Sequence, residues 1–313
     1  GCDYVVMEVS SFGLVQHRIG PIHFHAAVFT NLTQDHLDYH KTMENYYQAK
    51  KMLFERCDFA IINTDDAYGE RLMQEVTCDR YAYGSKHTAD YYADAIKLKA
   101  SGTSFWFCYG EKSYPITMRM AGMFNVANAV AAMAVCLELG FSISRIQPVM
   151  EACTGVRGRC ELIPTGKDFS VICDYAHTPD AIENILSSVK EYTEGRLICL
   201  FGCGGNRDKT KRPKMAQAAA KYADFLMITS DNPRDEEPQA IVDDILTGLQ
   251  GTDVPYQVVL DRKEAILESM RLAKKGDVIV LAGKGHEDYQ VLAGGVHIHM
   301  DEREIVRDCL PLL

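Results

Sequence analysis

The sequence predicts an α/β protein made of two successive units, the second of them doubly wound around a mostly parallel sheet. Three observations carry this. Short apolar runs alternate with helix-length segments along most of the chain, polar and aromatic residues alternate instead between residues 80 and 118, and the first pattern restarts after the turn Gly155 to Gly158. With 313 residues, 47% of them hydrophobic, the chain can fill two ordinary cores. The boundary is set at residue 158, giving domains 1–158 and 159–313.

The opening run Gly1 to Glu8 reads as a buried strand with neither cap nor loop before it, so the chain is expected to begin mid-protein. Ala26 to Phe29 and Phe59 to Ile62 are further strands, with a helix from Thr42 to Arg56 between them. Tyr91 to Lys99, Ser104 to Tyr109 and Ser113 to Met118, with a turn at Gly110, Glu111 and Lys112, read as an antiparallel meander. Gly122 to Gly140 is almost wholly apolar and predicts a buried helix ended by Gly140. In the second unit, strands are expected at Ser170 to Asp174, Leu197 to Phe201, Phe225 to Thr229 and Val278 to Ala282. Helices are expected at Pro179 to Glu191, Arg212 to Ala223, Pro238 to Leu249 and Glu302 to Leu310.

Composition excludes several classes of function. A net charge of −10 argues against nucleic acid, which demands a basic stripe to displace counterions. No signal-like N-terminus and no apolar run of membrane-spanning length is present, so no membrane partner is expected. The eleven cysteines are odd in number and include no C-x-x-C pair, which favours reduced thiols and a cytoplasmic location. A monomer acting on small molecules is the expected state.

Candidate ligand-binding residues cluster where strands end. Glu8 closes the first predicted strand, and Asp35, His36 and Asp38 follow another; they read equally well as a converging site and as solvated loop charges. Lys50 by itself reads as a surface helix lysine. The pairs His23 with His25 and His297 with His299 share strand faces but lack a third ligand, so they read as structural.

The loop Phe201 to Pro213 lies between strand and helix but matches neither nucleotide fingerprint, since Arg207 and Asp208 occupy required glycine positions. What remains is a basic loop, Arg207, Lys209, Lys211 and Arg212, at a helix start, either an anion site or a solvated turn. Asp174, at the start of "DYAHTP", could hold ribose hydroxyls or cap a helix. "SDNPR" (Ser230 to Arg234) and "AGKGHED" (Ala282 to Asp288) add further strand-end loops. Arg207, Arg234, Asp231 and Glu287 gathered in one mouth would suit a small zwitterion.

Taken together these stretches resemble the Mur ligase family. The matching segments are "MEVSSFGLVQHR" from Met7, "NLTQDHLDYH" from Asn31, "YQAK" ending at Lys50, "GMFNVAN" from Gly122 and "GVRGRCE" from Gly155. They continue with "DYAHTPD" from Asp174, "GCGGNRD" from Gly202, "DNPR" from Asp231 and "GKGHE" from Gly283. The family's N-terminal UDP-binding domain and its G-T-N-G-K-T-T loop have no counterpart, and Phe12 stands where relatives often have histidine.

The resemblance implies the remainder of a central ATPase domain followed by a Rossmann-like C-terminal domain. It implies an ATP- and Mg²⁺-dependent amide ligase of peptidoglycan biosynthesis. ATP would phosphorylate the terminal carboxylate of UDP-MurNAc-L-Ala-D-Glu, and the amine of meso-2,6-diaminopimelate would attack the acyl phosphate. By the same resemblance Glu8, His36 and a carbamylated Lys50 would hold Mg²⁺, with His36 and Lys50 catalytic. Ser10, Gln16 and Arg18 would bind the nucleotide-peptide substrate, and Asn125, Asn128, Arg159, Asp174 and His177 would face ATP. Arg207, Asp231, Asn232, Arg234, Gly283 and Glu287 would bind diaminopimelate. A lysine-adding relative, folylpolyglutamate synthetase and a non-catalytic fragment are the alternatives. The chain alone, lacking the phosphate-binding loop, is expected to be inactive.

Overall fold

A computed structural model describes residues 1–33, 37–99 and 101–313, without the side chains of residues 37 and 38. The chain divides into two compact units. Gly1–Ile96, Ser104–Thr117 and Phe124–Glu151 form the first, and Lys97–Thr103, Met118–Met123 and Ala152–Leu313 the second.

The first unit begins with a correction. Residues 1–10 form no strand, and Val5 and Val6 are 80% and 98% exposed. An apolar run gains from extension only when a neighbour takes up its ladder bonds, and no described strand pairs with it. The regular elements begin at α1 (Ser11–Val15), whose N-cap Ser10 accepts the Gly13 N–H at 3.1 Å. They continue through β1 (Phe24–Phe29), α2 (Leu37–His40), α3 (Met43–Lys51) and β2 (Cys57–Asn63).

α4 (Ala67–Glu75) follows, its first N–H groups satisfied by Asp66. This helix gives the chain enough length to return parallel, so β3 (Asp79–Gly84) pairs in parallel with β2, Ile61 opposite Tyr81. The sequence reading had missed β3 as a parallel strand. β4 (Tyr91–Lys99), β5 (Gly102–Tyr109) and β6 (Lys112–Met118) complete a six-stranded sheet in chain order. α5 (Met123–Glu138) buries Val126, Val130, Met133 and Ala134, as its apolar pattern required, and α6 (Ile143–Ala152) follows.

The second unit runs β7 (Glu161–Ile163), β8 (Ser170–Asp174), α7 (Pro179–Lys190), β9 (Leu197–Phe201), α8 (Lys211–Tyr222), β10 (Phe225–Ile228) and α9 (Pro238–Thr247). It ends with β11 (Tyr256–Val258), α10 (Arg262–Leu272), β12 (Val278–Ala282), the hairpin β13 (Tyr289–Val291) and β14 (His297–His299), and α11 (Glu302–Cys309). Sheet order is β11-β10-β9-β12-β8-β7, parallel except for β7 against β8.

Unbroken apolar strands are explained by burial on both faces. Leu197, Cys199 and Phe201 enter one core under α7, α8 and α9, while Ile198 and Leu200 enter the other with α10 and α11. Val278 and Val280 against Ile279 and Leu281 repeat the division on β12. Each such side chain contributes roughly 1.5–3 kcal/mol on burial, so the central strands anchor the loops at their ends. No helix among the described residues is long and apolar enough to cross a membrane.

Candidate functional site

In an open parallel sheet, ligand sites form beyond the carboxyl ends of the strands. In the second unit a cavity of about 430 Å³ opens there. Tyr175 and His177 reach it from beyond β8, Gly202, Gly204 and Arg207 from beyond β9, and Asp231, Asn232 and Arg234 from beyond β10. Gly283, Glu287 and Tyr289 come from beyond β12, and Lys211 from the start of α8. All six residues that the sequence reading assigned to diaminopimelate therefore line one cavity.

The loops after β9 and β10 hold each other. Arg234 Nη1 donates to the carbonyl of Gly205 at 2.9 Å, and the Gly205 N–H donates to the carbonyl of Asn232 at 2.9 Å. A Cβ at Gly205 would sit 1.8 Å from the Pro233 oxygen, so only glycine allows this approach. Pro233 fixes its own φ and disfavours helix at Asn232, which argues for an extended, stiff loop at Arg234, and the structure corrects this. Pro233 to Glu236 is a turn closed by the Glu236 N–H on the Pro233 carbonyl at 3.1 Å, and Arg234 has φ 52°. The cross-loop bonds, with the Arg234 N–H on Val291 O at 3.1 Å, hold the residue in this left-handed conformation.

Buried cations brace the same loops from behind. Arg262 is 2% exposed and donates to Ser230 O at 3.1 Å and Ala282 O at 2.9 Å, where the loops after β10 and β12 leave their strands. Its charge is met by the buried Glu302 at 2.8 Å. Arg212, which the sequence offered as part of an anion-binding loop, is fully buried and paired with Glu236 at 2.9 Å and Asp244 at 2.8 Å. Lys209 also turns to Glu236, at 3.1 Å. The basic loop thus supplies only Arg207 and Lys211 to the cavity, because the other cations find carboxylates that are distant in sequence. Arg212, the Asn206 N–H and Lys209 together hold the Glu236 carboxyl down at about 2.

The acidic side is equally organised. Gly283, at φ 119°, stands so close to Asp231 that a Cβ would lie 2.7 Å from its Oδ2. Lys284, unremarked in the sequence reading, is fully buried and donates to Asn232 Oδ1 at 2.6 Å and Glu287 Oε2 at 3.2 Å. A lysine between two glycines carries no periodic signal that would mark it as interior.

Of the residues expected to face ATP, three lie in the second unit. Asp174 accepts the Cys160 N–H at 2.7 Å and the Ala176 N–H at 2.8 Å, and burial pushes its carboxyl up against these bonds. The cap of α7 is Thr178, not Asp174. The ring of Tyr175 lies 4.7 Å from His177 and 5.1 Å from His286, with the Arg159 guanidinium 5.4 Å from its centroid. Of this aromatic and cationic face the sequence reading named Arg159 and His177 but not Tyr175 or His286. Asn125 and Asn128 belong to the first unit, one turn apart on α5, half-buried and exposed respectively.

In the first unit Glu8 is exposed, and Gln16 caps the C-terminus of α1 with Arg18 exposed just beyond. Lys50 is half-buried, its Nζ 5.4 Å from the Tyr46 ring, which stacks on His40 at 5.0 Å. His36 and Asp35 lie outside the described residues, as does the side chain of Asp38. Among the described residues, no group of three His, Cys, Asp or Glu side chains is arranged to hold a metal ion. His23 and His25 both bond Asp58, at 2.7 and 2.6 Å, and pull its carboxyl below the usual value. His297 stacks on Tyr289 at 4.7 Å and His299 bonds Glu304 at 2.6 Å.

Comparison with known proteins agrees with this architecture. Residues 1–136 match the Mur ligase middle domain and residues 158–285 the Mur ligase, glutamate ligase domain. A UDP-N-acetylmuramoyl-L-alanyl-D-glutamate–2,6-diaminopimelate ligase of Clostridium acetobutylicum is 49% identical over 98% of this chain and 63% of that protein. The ligase of the same description from Syntrophomonas wolfei is 46% identical over 98% of this chain and 64% of its own length. A solved structure of such a ligase, 35% identical, superposes with a TM-score of 0.71 over 97% of this chain and 63% of that one. The chain thus spans somewhat under two thirds of the relatives it matches, and within that span both of its units carry the family's domains: it belongs to the Mur ligase family.

Proposed function

We propose that the chain is the catalytic and amino-acid-binding part of an ATP-dependent ligase that joins meso-2,6-diaminopimelate to UDP-MurNAc-L-Ala-D-Glu in peptidoglycan synthesis. The observation that carries this is the cavity of the second unit, where Arg207 and Arg234 share one wall space with Asp231 and Glu287. The distal end of diaminopimelate is a zwitterion. Arg234 and Arg207 would hold its carboxylate, Asp231, Asn232 and Glu287 its ammonium, and Gly283 would leave room for both. Lysine carries only the ammonium at that end and would leave the arginines unmatched. The similar ligases of Clostridium acetobutylicum and Syntrophomonas wolfei are named for 2,6-diaminopimelate, which supports the same choice.

ATP would first phosphorylate the terminal carboxylate of the nucleotide-dipeptide. The proximal amine of diaminopimelate would then attack the acyl carbon, releasing phosphate and forming the amide. Ser10, Gln16 and Arg18 would bind the nucleotide-peptide, while Asn125, Asn128, Arg159, Asp174 and His177 would face ATP. Mg²⁺ would neutralise phosphate and carboxylate charge crowded at the reacting centre. Glu8 offers that ion a hard oxygen donor and His36 an imidazole. Lys50 could join them only after carbamylation turns its ammonium into a carboxylate. The domain boundary is set near residue 158, in line with where the second family model begins. A monomer in the cytoplasm suits an enzyme of small soluble substrates whose eleven cysteines are all free.

The experiment is isothermal titration of the chain with meso-diaminopimelate and with L-lysine. Binding of diaminopimelate at least tenfold tighter than lysine is expected; equal affinities, or tighter lysine, would turn the assignment to a lysine-adding relative.

A further inference from the structure

The cavity floor holds a cation that does not line it. Lys284 is fully buried, with Nζ 2.6 Å from Asn232 Oδ1, 3.2 Å from Glu287 Oε2 and 3.7 Å from Asp231 Oδ1, and 5.6 Å from the Tyr289 ring centroid. An ammonium withdrawn this far from water persists only with such partners around it.

The bonds it makes set the orientation of two cavity groups. Asn232 Oδ1 also accepts the Val291 N–H at 2.9 Å, so both acceptor positions of the amide are occupied and Nδ2 is turned to Glu287 Oε2 at 3.2 Å. Glu287 Oε2 thereby meets two donors, and Oε1 is the oxygen left for a ligand. Charge follows the same logic. Asp231 and Glu287 bring two negative charges to the acidic side and Lys284 removes one of them. Arg262 stands behind Asp231, while Arg207, Lys211 and Arg234 lie on the cavity wall.

We propose that Lys284 is the cavity's internal counter-charge, a positioning residue that orients Asn232 and Glu287 and leaves the acidic side with one net negative charge, matched to the single ammonium of one amino-acid head. This rests on the reading that the cavity takes the distal head of diaminopimelate. Without Lys284, two uncompensated carboxylates would face one ammonium, and the amide that orders them would lose its anchor.

The test is a double-mutant cycle of Lys284→Met and Glu287→Gln in the full chain, read by calorimetric binding of meso-diaminopimelate and by urea unfolding. Each single variant is expected to bind at least tenfold more weakly. The double variant, restored to one net negative charge, is expected to lose at least threefold less than the product of the single losses, and its urea midpoint should lie above that of Lys284→Met. A lysine that only fills space gives additive losses in both measurements, and that result overturns the proposal. Coupling in urea with additive losses in binding overturns the positioning role. If the unmutated chain binds no diaminopimelate, the substrate reading fails by itself, and the urea cycle still decides whether Lys284 acts as the counter-charge.

Discussion

Nη1 of Arg234 donates to the carbonyl of Gly205 at 2.9 Å, so the guanidinium beyond one strand is aimed by the backbone beyond its neighbour. One side chain therefore both closes two loops and presents a cation to the cavity.

Replacing Arg234 with alanine should weaken meso-diaminopimelate binding by roughly 10- to 100-fold, since a hydrogen bond to a charged group is worth about 1.5–3 kcal/mol. Lysine binding should change little. Parallel calorimetric titrations check this, and equal losses for both ligands would make Arg234 a purely structural brace.

The backbone of Arg234 allows a separate test. Its φ of 52° suits glycine better than alanine. Arg234→Gly should thus be more stable to urea than Arg234→Ala by about 1 kcal/mol, although both lose the same guanidinium.

Gly283→Ala should damage site and fold together. The new Cβ would lie 2.7 Å from Asp231 Oδ2 at a φ of 119°. A loss of about 2 kcal/mol or more in unfolding free energy is expected, with weakened diaminopimelate binding, because Asp231 must move to relieve the overlap.

Glu236 predicts an acid limb in stability. Its carboxyl sits at about 2 in the folded chain against an ordinary 4.5, held down chiefly by Arg212. A depressed folded value stabilises above the ordinary one, so this contribution is complete above pH 4.5 and is lost as pH falls towards 2. Glu236→Gln should flatten that limb. At neutral pH it should also cost about 1–3 kcal/mol, since the buried Arg212 keeps only part of its partnership. Urea midpoints measured from pH 2 to 7 check both effects.

The chain alone should release no ADP in the presence of diaminopimelate, as its sequence has no counterpart of the G-T-N-G-K-T-T loop that would position the β and γ phosphates. In a longer protein that includes such a loop, Lys50→Ala should abolish turnover, with partial recovery on adding short-chain carboxylic acids. Near-normal turnover of Lys50→Ala would remove Lys50 from the metal set.

Much of the second unit was legible in its sequence. Leu197 to Phe201 and Val278 to Ala282 are apolar at every position, as burial on both faces requires, and glycine, proline and charge mark the loops after them. The parallel sheet brings those loops to one edge, so Arg207, Asp231, Arg234 and Glu287 could be grouped from local pattern alone. Partnership could not be read this way. Gly1 to Glu8 has a strand's composition but no neighbour to pair with among the described residues, and Arg212 and Lys211 are adjacent basic residues that tertiary contacts send to opposite environments. Composition and periodicity determine which segments must leave water. Which buried cation meets which carboxylate, as Arg212 meets Glu236 and Arg262 meets Glu302, is decided only when segments distant in the chain come within a few ångströms, where desolvation makes an unpaired charge intolerable.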